Sequence, residues 1–184
     1  MKTLIINGSP RVDGDTAFLV RELKKQLDGD IVEISAYRNK ISPCLDCRKC
    51  WESPKCVIQD DMQIIYSDNF DNVVIASPIH MQTLPGPMLN LAGRFQLDYA
   101  AKIILKQEIV RKPKKAALIL TGGGDGSPED AIKTAKWIFR FMNADNFWAD
   151  MILSLKTDVL PTKDDACAIH RISEVAVRLN GVYV

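Results

Sequence analysis

Four of the five cysteines lie within thirteen positions, in the segment CLDCRKC and just after it. They follow the spacing C-x2-C-x2-C-x5-C and are Cys44, Cys47, Cys50 and Cys56. Two-residue gaps let successive thiolates converge on one inorganic cluster, as in ferredoxin-type sequences. A structural zinc site usually has two separated cysteine pairs, and thiols in such a group can also stay free or redox-active. The spacing leaves three alternatives, and it favours a [4Fe–4S] cluster over free or redox-active thiols and over zinc.

A second candidate site is the segment NGSPRVDGDT, residues 7–16. Ser9 and Thr16 carry hydroxyl groups, and Arg11 carries a fork of N–H donors that suits phosphate oxygens. A helix that starts here would add free backbone N–H groups and the positive end of its dipole. The segment therefore predicts a cradle for one phosphate group. It is neither a Walker loop, which needs Gly-Lys-Ser/Thr, nor a GxGxxG dinucleotide motif.

Two further segments have the composition of a site for a flat ligand. SPIHMQTLPGP (77–87) has three prolines and a glycine, which fix an extended loop whose backbone groups can face a ring edge. TGGGDGS (121–127) has three consecutive glycines, which let the backbone approach a ligand closely.

The elements around these segments predict how they are positioned. Strands that alternate with helices indicate an α/β protein with a parallel sheet and helices on both faces. Five strands suit the three-layer flavodoxin-like order 2-1-3-4-5, in which ligands bind beyond the carboxyl ends of the strands. We expect a single domain over residues 1–184, with the cysteine segment emerging at the same end of the sheet. The apolar runs that predict strands are TLIIN at 3–7, DIVEIS at 30–35, NVVIAS at 72–77, KAALILT at 115–121 and DMILSL at 150–155.

The charge balance excludes some classes of partner. Lys and Arg number 24, Asp and Glu number 23, and the formal net charge is +1. Neither nucleic acid nor an anionic membrane is therefore expected as a partner. No apolar run approaches the length of a membrane span, and the N-terminal apolar stretch is too short for a signal peptide. We expect a cytoplasmic protein.

Three local expectations concern charged residues and the last cysteine. The basic stretch KQEIVRKPKK (106–115) predicts a solvated surface loop, since runs of charge usually are exposed. Asp60 and Asp61 are expected to cap a short helix at about 59–67, where acidic groups favour the positive end of the helix dipole. Cys167 is expected to be a packing residue, as isolated cysteines usually are.

The order of these motifs resembles a known family. GSPRVDGDT resembles the phosphate loop of the NADPH-dependent FMN reductase group of flavodoxin-like proteins. SPIHMQTLPGPMLNLAGR is similar to the ring-binding loop of that group and the helix behind it, and TGGGDG is similar to its second ring loop. CLDCRKCWESPKCVIQDDM resembles the cysteine segment of iron-sulfur flavoproteins, a branch of the same family.

The resemblance implies a role for each matching position. The FMN phosphate and ribityl end would be held by Ser9, Arg11, Asp15 and Thr16. The isoalloxazine would lie along Pro78, Ile79 and His80, with Gly122, Gly123 and Gly124 opposite. Family members commonly have an aromatic residue where His80 stands, lysine where Leu89 stands, and an Asp-Arg pair where Gly93 and Arg94 stand. A histidine beside a reduced ring can form a hydrogen bond or carry a proton.

The resemblance also implies a function. We expect an FMN-dependent oxidoreductase, in which NAD(P)H gives hydride to the flavin and the electrons pass to a quinone, another flavin or a metal centre. The partner would be a small molecule or a redox protein, and the assembly a homodimer or homotetramer. One alternative is an iron-sulfur flavoprotein electron carrier that does not use NAD(P)H directly. Another is a flavin-free thiol redox sensor or metal sensor.

Overall fold

Five strands form one parallel sheet in this computed structural model, which describes residues 1–144 and 150–181. The strand order is β2-β1-β3-β4-β5, which confirms the predicted flavodoxin-like order. Each observed strand begins and ends within about one residue of the predicted apolar run. The bounds are β1 Lys2–Asn7, β2 Asp30–Ser35, β3 Asn72–Pro78, β4 Lys115–Gly122 and β5 Met151–Leu155.

Helices cover both faces of the sheet. One face packs against the first and last helices, and the other packs against helices from the middle of the chain. None of the helices in the described part of the chain is long and apolar enough to cross a membrane. The helices are α1 Asp15–Lys24, α2 Met62–Tyr66, α3 Gly86–Gly93, α4 Gln96–Ile103, α5 Glu129–Phe141 and α6 Ala166–Asn180, with 3-10 turns at Lys49–Trp51 and Thr162–Asp164.

The central strand shows why these apolar runs form a parallel sheet. Val73, Val74, Ile75 and Ala76 of β3 have no solvent exposure, although their side chains point alternately to opposite faces. A strand covered on both faces needs apolar residues at successive positions. β1, β3 and β4 are neighbours in the sheet, so their carboxyl ends lie side by side. The loops that follow these ends can carry polar side chains without disturbing the apolar strands.

The helix expected behind the first ring loop is broken in two. α3 ends at Gly93 and α4 begins at Gln96, because Arg94 and Phe95 turn inward and are both buried. The short helix expected at about 59–67 covers Met62–Tyr66. Asp60 does satisfy the first N–H group of this helix, since its carboxylate accepts the Met62 N–H at 3.1 Å from the position before the N-cap. Asp61 does not, because its carboxylate instead accepts from Asn39 and from the Lys40 N–H.

The expectation that residues 106–115 form a solvated loop is wrong for two of its cations. Arg111 is 8% exposed and Lys114 is 1% exposed. Arg111 pairs with Asp98, and Lys114 pairs with Asp68 at 2.6 Å. Buried charges need such partners, because desolvation of an unpaired ion costs several kcal/mol. Both cations lie just before β4, at the amino end of the sheet and away from the ring loops.

Cys167 is also placed differently from expectation. It is exposed, whereas Ala168 and Ile172 of the same helix are buried. These two residues are four positions apart and define the inward face of α6. Cys167 lies on the outward face, so it makes no contribution to the core.

Candidate functional site

The loop between β1 and α1 ends in an uncapped helix N-terminus. Gly14 is the N-cap residue, and no side chain caps the helix. The first backbone hydrogen bond of the helix runs from the Phe18 N–H to the Gly14 carbonyl at 2.9 Å. The N–H groups of Asp15, Thr16 and Ala17 precede that bond and have no carbonyl of the helix to donate to. Three N–H groups and the positive end of the helix dipole suit an anionic group.

The two predicted hydroxyl groups of this loop are held by the protein itself. Ser9 is buried, and its hydroxyl donates to the Arg11 carbonyl at 2.8 Å. Thr16 is buried as well, and its hydroxyl lies 2.6 Å from that of Thr121, at the end of β4. Ser9 therefore shapes the loop, and Thr16 ties the start of α1 to the strand that leads into the second ring loop.

Arg11 and Asp15 have different surroundings. The Arg11 side chain is 72% exposed and forms an ion pair with Asp15 at 3.4 Å. A Cβ at Gly14 would lie 2.8 Å from Nε of Arg11, so glycine leaves the room that this side chain occupies. The Asp15 carboxylate also accepts the Thr162 N–H at 3.1 Å. Arg11 is thus available to an incoming anion, whereas Asp15 is engaged in anchoring the turn that precedes α6.

The ends of β3 and β4 enclose a cavity of about 290 Å³. The Ile79 N–H donates to the Thr121 carbonyl at 2.8 Å and holds the two loops together. Four of the six residues expected along the ring lie in the cavity wall, while Pro78 ends β3 and His80 lies in an exposed turn beyond it. The wall consists of Ile79, Met81 and Gln82 from one loop and Gly122, Gly123, Gly124 and Gly126 from the other.

A strained turn closes the first ring loop. His80 and Thr83 exchange backbone hydrogen bonds of 2.9 and 3.0 Å. Between them, Met81 has φ +50° and Gln82 has φ +65°, both in the left-handed region. Such a turn favours Asn-Gly, and left-handed backbone costs other residues about 1–2 kcal/mol each. The sequence Met-Gln gives no local indication of this turn, and strained backbone of this kind is concentrated at functional sites.

The four clustered cysteines line one small cavity of about 20 Å³. Burial raises the pKa of the Cys50 thiol, and the neighbouring thiols of Cys44, Cys47 and Cys56 raise it further. Cys44 and Cys47 are exposed, and Cys50 and Cys56 are half-buried. The cavity has room for about one water molecule, so the exposed part of the segment would have to move outward to admit a cluster.

Arg94 joins the two ends of the cysteine segment. Its side chain has no solvent exposure. Nη1 donates to the Ser42 carbonyl at 2.9 Å and to the Asp60 carboxylate at 2.7 Å, while Nη2 donates to the Cys56 sulfur at 3.4 Å. Burial alone would raise the pKa of Asp60, but the hydrogen bonds from Arg94 and from the Ser42 and Met62 N–H groups lower it. The resemblance to the family identified Arg94 only as the arginine of the Asp-Arg pair that family members commonly have here. Nothing in the sequence indicated these contacts.

The cysteines do not converge as ligands of one ion do. Within residues 1–144 and 150–181, no group of three or more His, Cys, Asp or Glu side chains is arranged to hold a single metal ion. A tetrahedral zinc site with Zn–S bonds of about 2.3 Å requires sulfur atoms about 3.8 Å apart. The role of Cys44, Cys47, Cys50 and Cys56 as metal ligands stays a prediction.

The cysteine cavity lies apart from the ring cavity. Its wall includes Arg94, Gln96 and Leu97, just beyond the end of α3. The first ring loop leads into the opposite end of the same helix, at Gly86. Eight helical residues span about 12 Å. The cysteine segment therefore follows the carboxyl end of β2, as expected, but its cysteines line a cavity near the end of α3 that is opposite to the first ring loop.

A protein-family model described as NADPH-dependent FMN reductase matches residues 1–148. The chain belongs to this family. An iron-sulfur flavoprotein of Methanocaldococcus jannaschii is 35% identical over 99 residues, which cover 51% of this chain and 51% of that protein. The iron-sulfur flavoprotein of Methanosarcina thermophila is 27% identical over 139 residues, covering 73% of this chain and 70% of that protein. The chain thus spans about half the length of the first relative.

Solved structures show the same fold. An FMN-dependent NADH-azoreductase from Bacillus anthracis, in complex with FMN, superposes with a TM-score of 0.66. That match covers 98% of this chain and 100% of the azoreductase, at 18% sequence identity. A likeness at this level of identity establishes the flavodoxin-like architecture alone. Membership of the NADPH-dependent FMN reductase family is shown by the family model.

Proposed function

We propose that this protein is an FMN-dependent oxidoreductase that takes reducing equivalents from NAD(P)H. The observation that carries the proposal is the cavity between the β3 and β4 loops, together with the uncapped start of α1. A flat ring and a single phosphate group are the two ends of one FMN molecule, and its ribityl chain joins them. The hydrogen bond between Thr16 and Thr121 connects the two half-sites.

The residues present fit this cofactor. The N–H groups at the start of α1 and the exposed Arg11 would hold the phosphate, with Ser9 shaping the loop that carries them. Ile79 would lie against the ring, and the glycines of the second loop would let the backbone approach it. A Cβ at Gly124 would meet no atom within 4 Å, which is the open space that a bound ring needs.

When bound, FMN supplies the two-electron redox chemistry, and the protein orients the ring and limits access of water to it. Side chains for acid or base catalysis are not required by this chemistry. Arg111 and Lys114 are not available to a 2′-phosphate of NADPH, since both are buried at the amino end of β4. The electron acceptor would be a small quinone, a flavin or a metal centre that reaches the exposed side of the cavity.

FMN titration of the cofactor-free protein tests the proposal. We expect quenching of flavin fluorescence with one FMN per chain, followed by oxidation of NADPH or NADH when a quinone is added. Binding without turnover of either nucleotide would contradict the use of NAD(P)H. A chain that binds no FMN would contradict the whole proposal and would favour a thiol redox or metal sensor.

A second candidate function is supported by the clustering of the four cysteines and by Arg94 beside Cys56. In this alternative the four cysteines hold a [4Fe–4S] cluster that relays electrons between FMN and a protein partner. The guanidinium of Arg94 lies against the Cys56 sulfur and would offset the negative charge of a thiolate-bound cluster. The two relatives described above carry the name iron-sulfur flavoprotein.

Anaerobic reconstitution with iron and sulfide tests the cluster. We expect about four iron atoms per chain and their loss in Cys47→Ser. Cys167→Ser is the matched control, because this exposed cysteine lies outside the cavity and should leave the iron content unchanged. Failure of the unaltered protein to retain iron, with FMN still bound, would exclude the cluster and leave a plain flavin reductase.

The assembly is a third part of the proposal. The single sheet supports one domain over residues 1–184, and apolar side chains at the surface support a homodimer or homotetramer. Trp137 is 52% exposed, and Val110 is 87% exposed. Light scattering coupled to size-exclusion chromatography should give two or four chains per particle, and a monomer at micromolar concentration would contradict this.

A further inference from the structure

The segment that follows β5 folds back over the second ring loop. Lys156 has φ +63°, a left-handed turn that reverses the chain. The Thr157 N–H donates to the Gly122 carbonyl at 2.9 Å, and the Asp158 N–H donates to the Gly123 carbonyl at 3.3 Å. The polar backbone of the ring loop is therefore held from behind by residues that lie outside every motif recognised in the sequence.

The side chain of Asp158 continues this contact. A Cβ at Gly123 would lie 2.6 Å from Oδ2 and 2.8 Å from Oδ1 of Asp158. The carboxylate thus lies directly over Gly123, and Gly123 itself lines the ring cavity. One glycine main chain separates a carboxylate from the space in which the flavin ring would lie.

Asp158 is exposed to solvent and places its carboxylate beside Gly123. Within residues 1–144 and 150–181, Asp158 forms no ion pair at 4.0 Å or less. The nearest lysine along the chain, Lys156, pairs instead with Asp125 at 3.4 Å. A fixed negative charge beside a flavin opposes the gain of electrons by the ring, because reduction makes the ring more negative.

The geometry points to Asp158 as a residue that positions the Gly122–Gly124 loop and makes the bound flavin harder to reduce. This inference rests on the proposed binding of FMN between the two ring loops. Asp158 acts through Gly123 and through its charge, so it is a positioning residue and not a catalytic one.

The midpoint potential of bound FMN is the first measurement, followed through the flavin absorbance during reductive titration. Asp158→Asn keeps the shape of the side chain and removes its charge, so the potential should become more positive. Asp164→Asn is the control, because it removes one negative charge from the same segment without touching Gly123 and should leave the potential unchanged. An unchanged potential in Asp158→Asn with FMN bound would overturn the inference and leave the proposed function standing.

The affinity for FMN tests the contact itself, without reference to activity. Gly123→Ala should weaken FMN binding, since the new methyl group would lie 2.6 Å from Oδ2 of Asp158 and has to displace this carboxylate from the loop. Gly123→Ala combined with Asp158→Gly removes the obstacle and should recover most of that loss. An equal loss in both backgrounds would overturn the positioning role. Absence of FMN binding in the unaltered protein would instead overturn the proposed function, and the inference with it.

Discussion

Replacing Arg94 by methionine should strongly destabilise the folded chain. The side chains of Arg94 and Asp60 are 0% and 1% exposed and 2.7 Å apart. At an effective dielectric constant of about 20, their attraction is about 6 kcal/mol, and desolvation offsets much of it. Removal of one partner leaves the other charge buried and unpaired, which typically costs about 3–5 kcal/mol. Arg94→Met should therefore lower the free energy of unfolding by about 3–5 kcal/mol at neutral pH.

The loss of stability in Arg94→Met should be larger at neutral pH than at acidic pH. The pKa of Asp60 is lowered in the folded chain, chiefly by Arg94 once burial is overcome. A carboxyl group with a lowered pKa stabilises the fold at any pH above its pKa in the unfolded chain, which is about 3.9. This stabilisation is lost as the pH falls through the pKa of the group in the folded chain. The difference in the free energy of unfolding between the wild-type protein and Arg94→Met should be largest at neutral pH and should become smaller below about pH 4.

Urea denaturation of the metal-free protein measures these differences. Arg48→Met is the matched control, since this arginine lies in the cysteine segment that Arg94 contacts but is 63% exposed, and its loss should cost less than about 1 kcal/mol. Adding Asp60→Asn to Arg94→Met removes the stranded charge and should recover part of the stability. A loss under about 1 kcal/mol in Arg94→Met, or no recovery in the double variant, would refute the reasoning.

Three further outcomes are expected. Gln82→Gly should raise the melting temperature by about 2–4 °C, because glycine adopts the left-handed conformation with about 1 kcal/mol less strain; a calorimetric scan that shows no increase would count against strain in this turn. Arg11→Ala should weaken FMN binding by about 1.5–3 kcal/mol in a fluorescence titration, whereas Lys25→Ala, at the far end of α1, should not; unchanged affinity would place Arg11 in solvent. Thr121→Val should cost about 1–3 kcal/mol by leaving the Thr16 hydroxyl buried and unpaired, and adding Thr16→Val should restore most of the stability measured in urea.

The strands could be predicted closely from the sequence because their burial on both faces leaves a continuous apolar run at each one. The loops of the candidate site could be located for a related reason. In a parallel sheet the position of a loop follows from the strand before it, so residues 7–16, 77–87 and 121–127 had to meet. What the strands do not determine is which side chains face the cavity, and His80 lies outside its wall.

The residues that the sequence predicted wrongly owe their burial to partners that are distant in the sequence. Arg111 is buried because Asp98 lies opposite, and Lys114 is buried because Asp68 does. Neither pairing leaves a pattern in the local sequence, where a run of cations looks the same whether solvated or paired. The turn at Met81 could not be predicted for the same reason, because its strained conformation is imposed by the surrounding loop and not by the residue type.

The contacts that Arg94 makes with the cysteine segment separate folding of the chain from binding of a metal centre. In a zinc finger the metal supplies the folding energy, and the chain without metal is unfolded. Here one guanidinium fixes the Ser42 carbonyl at one end of the cysteine segment and contacts Cys56 near the other, using only protein atoms. A metal centre assembled on these cysteines would be inserted into a chain already folded, and its loss in air would leave the sheet and the ring cavity in place.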